Sequence, residues 1–225
     1  MTIILTNDDG IDAPGIRALK KAVNGDGIIV APKDHQSGCG HQVTTKQPIN
    51  VQRRSQTEYA VGGTPADCTR LAISNLHKDV KWVLSGINAG GNLGVDAYIS
   101  GTVAAVREAT MHGIPAIAIS HYIKRSLTLD WDIAAHSTAK VLADLLTRSP
   151  EPGSFWNVNL PHLEPGSPQP EVVFCQPCIK PLPANYRIEG DNYYYAGKYA
   201  QRDRTPGSDV DICFSGKIAI TQIRL

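Results

Sequence analysis

Asp8 and Asp9 are adjacent carboxylates that follow a short apolar run, residues 2–6, and precede Gly10. Two unit charges about 4 Å apart repel by about 4 kcal/mol at an effective dielectric of 20. A divalent cation removes that repulsion, and an all-oxygen shell suits Mg2+, Mn2+ or Ca2+ better than Zn2+. The same residues also spell an ordinary Asp-Gly turn, with one carboxylate capping the following helix and the other solvated. Ser37 and Asn88 sit in two further glycine-bearing loops and can each add a neutral oxygen to the same ion, or act only as loop hydrogen-bonders.

Ser100-Gly101-Thr102 opens a helical pattern. The unpaired N–H groups and positive dipole end of a helix start form an anion site, and Ser100 equally makes a plain N-cap. Asn92, on the loop leading there, can donate to a phosphate oxygen. A cation beside an anion pocket is the arrangement that phosphate ester hydrolysis requires. His41 offers an acid or base, or is simply a solvated loop side chain.

Competing chemistries are disfavoured by missing spacings. The chain has no GxxxxGK[ST] loop, and Gly90, Gly91 and Gly94 do not space as GxGxxG. A GxSxG elbow is absent, and NDDG is not a DxD arrangement. Cys175 and Cys178 form a single CxxC with no second pair nearby, so two unligated thiols are expected rather than zinc. Tyr193, Tyr194 and Tyr195 suit a hairpin or a subunit contact better than base stacking.

The elements that position these loops follow from hydrophobic periodicity. Residues 2–6, 27–31, 82–90, 115–120 and 155–161 read as buried strands. Residues 14–23, 64–76, 100–113 and about 130–148 read as helices, the second with Thr64 as cap and Pro65 at its first position. Strands alternating with helices imply a parallel sheet covered on both faces, with ligands collecting outside the carboxyl ends of the strands. Residues 43–62 read as extended or hairpin structure. After Pro161 seven prolines and an aromatic stretch signal hairpins and loops, and residues 216–225 form a last strand. The expected organisation is a catalytic core over 1–161 and a smaller hairpin-rich region over 162–225 whose final strand returns to the core.

The 225 residues are 42% hydrophobic with a net charge of +1. That composition supports a packed core and gives no basic surface for a nucleic-acid polymer. No run reaches the ~20 apolar residues of a membrane span, and the N-terminus lacks the basic start of a signal peptide. Five cysteines, an odd number, point away from a secreted disulfide framework and towards the cytoplasm.

Taken together, these loops resemble those of the SurE family, the stationary-phase survival 5′/3′-nucleotidases. The matching stretches are ILTNDDGIDAPGI (4–16), VAPKDHQSGCGHQVT (30–44), GGTPADC (62–68), VLSGINAGGNLG (83–94) and SGTVAAVREA (100–109), with NVNLP (157–161) and GKIAITQI (216–223) weaker. The resemblance implies a Rossmann-like three-layer α/β core that hydrolyses nucleoside 5′-monophosphates, and 3′ ones as well. It places one divalent ion per subunit, Mg2+ or Mn2+ with Ca2+ able to replace it, on Asp8, Asp9, Ser37 and Asn88. Phosphate contacts fall on Asn92, Ser100, Gly101 and Thr102, and catalytic roles on Asp8, Asp9 and Asn92. It also implies a homodimer or homotetramer built through hairpins and an exchanged C-terminal segment. The alternative from another class is a nucleotide-binding regulatory protein that uses the pocket without turnover.

Overall fold

The computed structural model describes residues 2–225. Along the chain run β1 (Thr2–Thr6), α1 (Pro14–Ala22), β2 (Ile28–Pro32), β3 (Val51–Arg53), β4 (Glu58–Val61), α2 (Pro65–Leu71), β5 (Val80–Ala89), α3 (Gly101–Met111), β6 (Ala116–His121), α4 (Trp131–Leu145) and β7 (Ser154–Leu160). Then follow β8 (Val172–Phe174), β9 (Tyr186–Glu189), β10 (Asn192–Tyr195), α5 (Asp209–Phe214) and β11 (Ile218–Arg224).

The apolar runs form the centre of a nine-stranded sheet of order β3-β4-β2-β1-β5-β6-β7-β11-β8. From β4 through β7 neighbouring strands are parallel, while β3 and β11 join antiparallel to β4 and β7. Successive side chains of a strand point to opposite faces, so each central strand needs apolar residues on both. Ile3 and Leu5 face α1 and α4, packing with Ile16, Leu19 and Leu142. Ile4 faces α2 and α3, packing with Cys68, Val103 and Val106. Each such side chain, when fully buried, stabilises the fold by about 1.5–3 kcal/mol.

The helices also settle the hand of the connections. The step from β1 to β2 runs one way along the sheet, and the steps β5 to β6 and β6 to β7 run the other way. Because α1 and α3 lie on opposite faces, their two crossovers share one hand, the right-handed sense such units take. The helix α4 lies on the α1 face, so the β6–α4–β7 connection has the opposite hand. The start of α4, which follows the carboxyl end of β6, is thereby set on the face away from α3.

Two sequence expectations change on this scaffold. The helix expected over 64–76 divides into α2, with Thr64 and Asp67 forming a reciprocal cap, and a wide turn over Ala72–Leu76. The Ser74 hydroxyl donates to the Arg70 carbonyl at 2.6 Å, and the His77 N–H reaches back five residues to Ala72. That side-chain bond competes with the α-helical ladder. The short helix α5 carries no sequence signal of its own. Its Asp209 carboxylate is buried and accepts from the N–H groups of Gly94, Cys178 and Val210, bolting the C-terminal segment to the loop after β5. The tyrosine stretch forms the β9–β10 hairpin, with Tyr193, Tyr194 and Tyr195 exposed. All five cysteines are free thiols. No helix among the described residues is long and apolar enough to cross a membrane.

Candidate metal and phosphate site

At the carboxyl end of β1 the chain turns sharply. The Asn7 side chain donates to the Gly10 carbonyl at 2.8 Å and accepts from the Gly10 N–H, closing a loop that projects Asp8 and Asp9. The Gln36 N–H donates to the Asp8 carbonyl at 2.7 Å and thereby ties the Ser37 loop to this turn. The third contribution comes from β5. Gly86 is required there, because its φ is +139° and a Cβ would lie 2.2 Å from the Ile119 carbonyl oxygen. The Asn88 amide donates to the Gly90 carbonyl at 2.8 Å, which leaves Oδ1 as its free acceptor.

These loops enclose a cavity of about 620 Å3 lined by Asp8, Asp9, Ser37, Asn88, Asn92, Ser100 and Gly101. Seven of the eight residues singled out in the sequence therefore meet at one place. The eighth, Thr102, is buried outside the lining, and its hydroxyl donates to Asp8 Oδ1 at 2.5 Å. Gly101 permits this approach, since a Cβ there would stand 2.9 Å from the Asp8 Cβ. Ser100 caps α3 by accepting from the Val103 N–H, while the first-turn N–H groups of Gly101 and Thr102 have no acceptor within the helix.

Burial raises the Asp8 carboxyl above the usual carboxylate range; the Thr102 hydroxyl pulls it down and the charge of Asp9 pushes it up. Asp8 is thus a buried anion beside a like charge, a combination that a bound cation relieves. No group of three or more His, Cys, Asp or Glu side chains able to hold an ion occurs among the described residues. A cation here would draw on two carboxylates, a hydroxyl and an amide oxygen. Such a donor set fits a hard divalent ion.

Asn92 is locked in place from every side. Its N–H donates to Asn159 Oδ1, its carbonyl accepts from the Asn157 and Asn159 amides, and its Nδ2 donates to the Ser120 hydroxyl at 2.8 Å. One amide N–H of Asn92 remains unspent. Asn157 and Asn159 went unread as site residues, although two asparagines at alternate positions of an otherwise apolar strand are a visible signal. His35, 3.6 Å from Asp9, was missed as well, as were Asp96, Leu182 and Tyr199 on the cavity wall. Nothing local to residues 182 or 199 announces them. His41 lies elsewhere, half-buried and outside the cavity lining. Its Nε2 sits 2.8 Å from Glu108, a carboxylate that Arg70 and His112 also hold.

A sequence model of the family described as Survival protein SurE matches residues 3–179. The chain belongs to the SurE family. It is 72% identical, over the full length of both chains, to a Nostoc sp. protein provisionally named a 5′-nucleotidase. It is 36% identical to the 5′-nucleotidase SurE of Paramagnetospirillum magneticum, covering 99% of this chain and 89% of that one. The crystal structure of the SurE protein from Aquifex aeolicus superposes with a TM-score of 0.87 at 29% identity, across all of this chain and 93% of the other. The SurE resemblance and the α/β fold expected from the sequence both hold.

Proposed function

We propose that this SurE-family chain is a divalent-metal-dependent phosphomonoesterase that releases phosphate from nucleoside 5′-monophosphates, and from 3′-monophosphates as well. The observation that carries the reading is the convergence of Asp8, Asp9, Ser37 and Asn88 in one cavity with Asn92 and the start of α3. The names of the relatives support nucleotidase chemistry.

In this reading Asp8, Asp9, Ser37 and Asn88 hold one Mg2+ or Mn2+ per subunit, and Ca2+ can take its place. When bound, such an ion polarises a phosphoryl oxygen and makes a coordinated water acidic enough to attack phosphorus. The protein's own groups do the rest. The unspent Asn92 N–H and the first-turn N–H groups of Gly101 and Thr102 receive the phosphate oxygens, with Ser100 at the same rim. Thr102 supports Asp8 through its hydroxyl and serves phosphate through its backbone only. Asn157, Asn159 and Ser120 hold Asn92 rigid, so no reorganisation is needed as charge develops. We place the enzyme in the cytoplasm as a homodimer or homotetramer, with the exposed β9–β10 hairpin as the assembling element.

The test is phosphate release by metal-stripped protein from a panel of nucleoside monophosphates, with one divalent ion restored at a time. Turnover that appears with Mn2+ or Mg2+ and is lost in Asp8→Asn supports the reading. Nucleotide binding without phosphate release under every ion would instead favour a regulatory binding protein.

A further inference from the structure

A second, larger cavity, of about 1010 Å3, opens between the start of α4 and the chain that follows β7, and it shares no lining residue with the Asp8 cavity. Leu129, Trp131 and Leu163 give it apolar walls, and His121 lines it from the end of β6. Only 5% of His121 is exposed. The Tyr122 carbonyl lies 2.8 Å from its Nδ1 and can only accept, so Nδ1 carries the proton and Nε2 a lone pair. Burial pushes the pKa of the ring down to about 4, which keeps it neutral at neutral pH. That Nε2 has no hydrogen-bond partner among the described residues, and it is not one of the unpartnered atoms sealed in the interior, such as Asn157 Oδ1. An almost wholly buried residue thus offers the cavity an unused acceptor, which the O–H or N–H of a ligand can satisfy.

The neighbouring imidazole is already spent. His162 meets His121 edge to face at 5.1 Å, its Nδ1 accepts from the Lys124 N–H at 3.1 Å, and its Nε2 faces the Thr128 carbonyl at 3.3 Å. Both of its nitrogens therefore have protein partners, and His121 is the ring left open to a ligand.

The charge of the lining has one sign. Asp130, Asp132 and Glu164 contribute carboxylates, and among the described residues no lysine or arginine lines the cavity. Lys21 and Lys124 answer Asp132 and Glu164 from outside the lining. Asp130 is different. Its Oδ1 accepts from the N–H groups of Asp132 and Ile133, which closes the start of α4 to an anion, and its Oδ2 has no hydrogen-bond partner among the described residues. Trp131, its chain neighbour, lines the same cavity with an indole, a surface that attracts cations. An anion entering here meets carboxylates and a capped helix, whereas an ammonium meets a free carboxylate oxygen and an aromatic ring.

We infer that this cavity is a binding site for a hydroxylated organic amine, with the ammonium held by Asp130 and Trp131, an apolar body against Leu129 and Leu163, and a hydroxyl donating to His121 Nε2. The two polar ends differ in exposure, and the assignment follows from that difference. An ammonium stays partly hydrated beside the exposed Asp130, while a neutral hydroxyl, which costs less to desolvate, takes the buried end. The site stands whether or not the chain hydrolyses nucleotides, since none of its residues lines the Asp8 cavity.

Three probes of similar shape separate the parts of the site. They are tyramine, phenethylamine, which lacks the hydroxyl, and 4-hydroxyphenylacetate, in which a carboxylate replaces the ammonium. Dissociation constants are read by calorimetry. Tyramine is expected to bind about fivefold tighter than phenethylamine, the worth of one hydrogen bond, and tighter still relative to 4-hydroxyphenylacetate. His121→Phe should abolish the advantage of tyramine over phenethylamine. Asp130→Asn keeps a capping side chain; it should weaken both amines about threefold and leave that advantage intact. The ranking in the wild type requires no variant to fold. The proposal is overturned by no binding of tyramine at millimolar concentration, by equal affinity for the two amines, or by tighter binding of 4-hydroxyphenylacetate. It is overturned as well by an advantage of tyramine that survives in a folded His121→Phe.

Discussion

The Thr102 hydroxyl donates to Asp8 Oδ1 at 2.5 Å, joining the first turn of α3 to the carboxylate at the end of β1. The contact is wholly inside the protein, and it accounts for why Thr102 does not line the cavity while its neighbours Ser100 and Gly101 do. It also leaves Asp8 as a buried carboxylate supported on one oxygen and facing Gly101 and the cavity with the other.

Asp8→Asn should separate activity from stability. A preorganised group at such a site is typically worth about 3–4 kcal/mol of barrier, so turnover is expected to fall about 10²–10³-fold. Because the folded-state pKa of Asp8 lies above its unfolded value, its ionised form costs the metal-free fold stability once pH rises through that pKa. The metal-free variant should therefore melt at or above the wild-type temperature at pH 7.5, and added Mn2+ should raise the melting temperature of the wild type only. A variant that retains the Mn2+ shift would remove Asp8 from the ligand set.

His121 gives a pH signature. Burial is the main cause that pushes its pKa from the usual 6.5 down to about 4. The unfolded chain then binds a proton below about pH 6.5 that the folded chain does not take up until about pH 4. Stability contributed by neutral His121 is thus present above pH 6.5 and lost as pH falls towards 4, by about 3 kcal/mol in all. Urea midpoints measured between pH 4 and 7 in the wild type and in His121→Phe should show a flatter profile for the variant. Parallel profiles would contradict a neutral, buried His121.

Asn159 tests whether Asn92 must be held rigid. Its Oδ1 accepts from the Asn92 N–H and its Nδ2 donates to the Asn92 carbonyl. Asn159→Ala leaves the buried Asn92 N–H without its partner, at about 1–3 kcal/mol for an unsatisfied group, while the Asn92 carbonyl keeps the Asn157 amide. We expect kcat to drop at least tenfold while affinity for Mn2+ stays within a factor of three, since no proposed metal ligand is touched. Equal losses in kcat and in metal affinity would point to general collapse of the site instead.

Asp96 anchors the C-terminal wall of the cavity. Its Oδ2 accepts from Tyr199 and from the buried Arg202 guanidinium, each at 2.6 Å. Asp96→Ala strands that guanidinium without its counter-ion, and breaking a buried pair from one side costs about 3–5 kcal/mol. For a chain of this size a drop of roughly 2–4 °C in melting temperature accompanies each kcal/mol. Tyr199→Phe keeps the ion pair and should lose no more than about a third as much. Similar losses in the two variants would mean that the hydroxyl, not the charge pair, holds the wall.

The apolar runs of residues 2–6, 27–31 and 82–90, with glycine and small polar residues at or after their ends, were sufficient to specify parallel strands whose ends gather Asp8, Asp9, Ser37, Asn88 and Asn92. Burial on both faces and the common direction of βα units force such loops to one edge of the sheet, which is a property of local pattern. The partner that each side chain finds at that edge is different in kind. Thr102 turns to Asp8 and His41 to Glu108 because α3 packs against β5 and β6 at a particular rotation. Tyr199 reaches Asp96 across 103 residues because β11 returns to pair with β7 and α5 is bolted to Gly94. The hand of the β6–α4–β7 connection, and the cavity it shapes beside His121, depend on which face α4 covers. Helical periodicity marks an apolar stripe without naming the side of the sheet that will cover it, so packing alone made that choice.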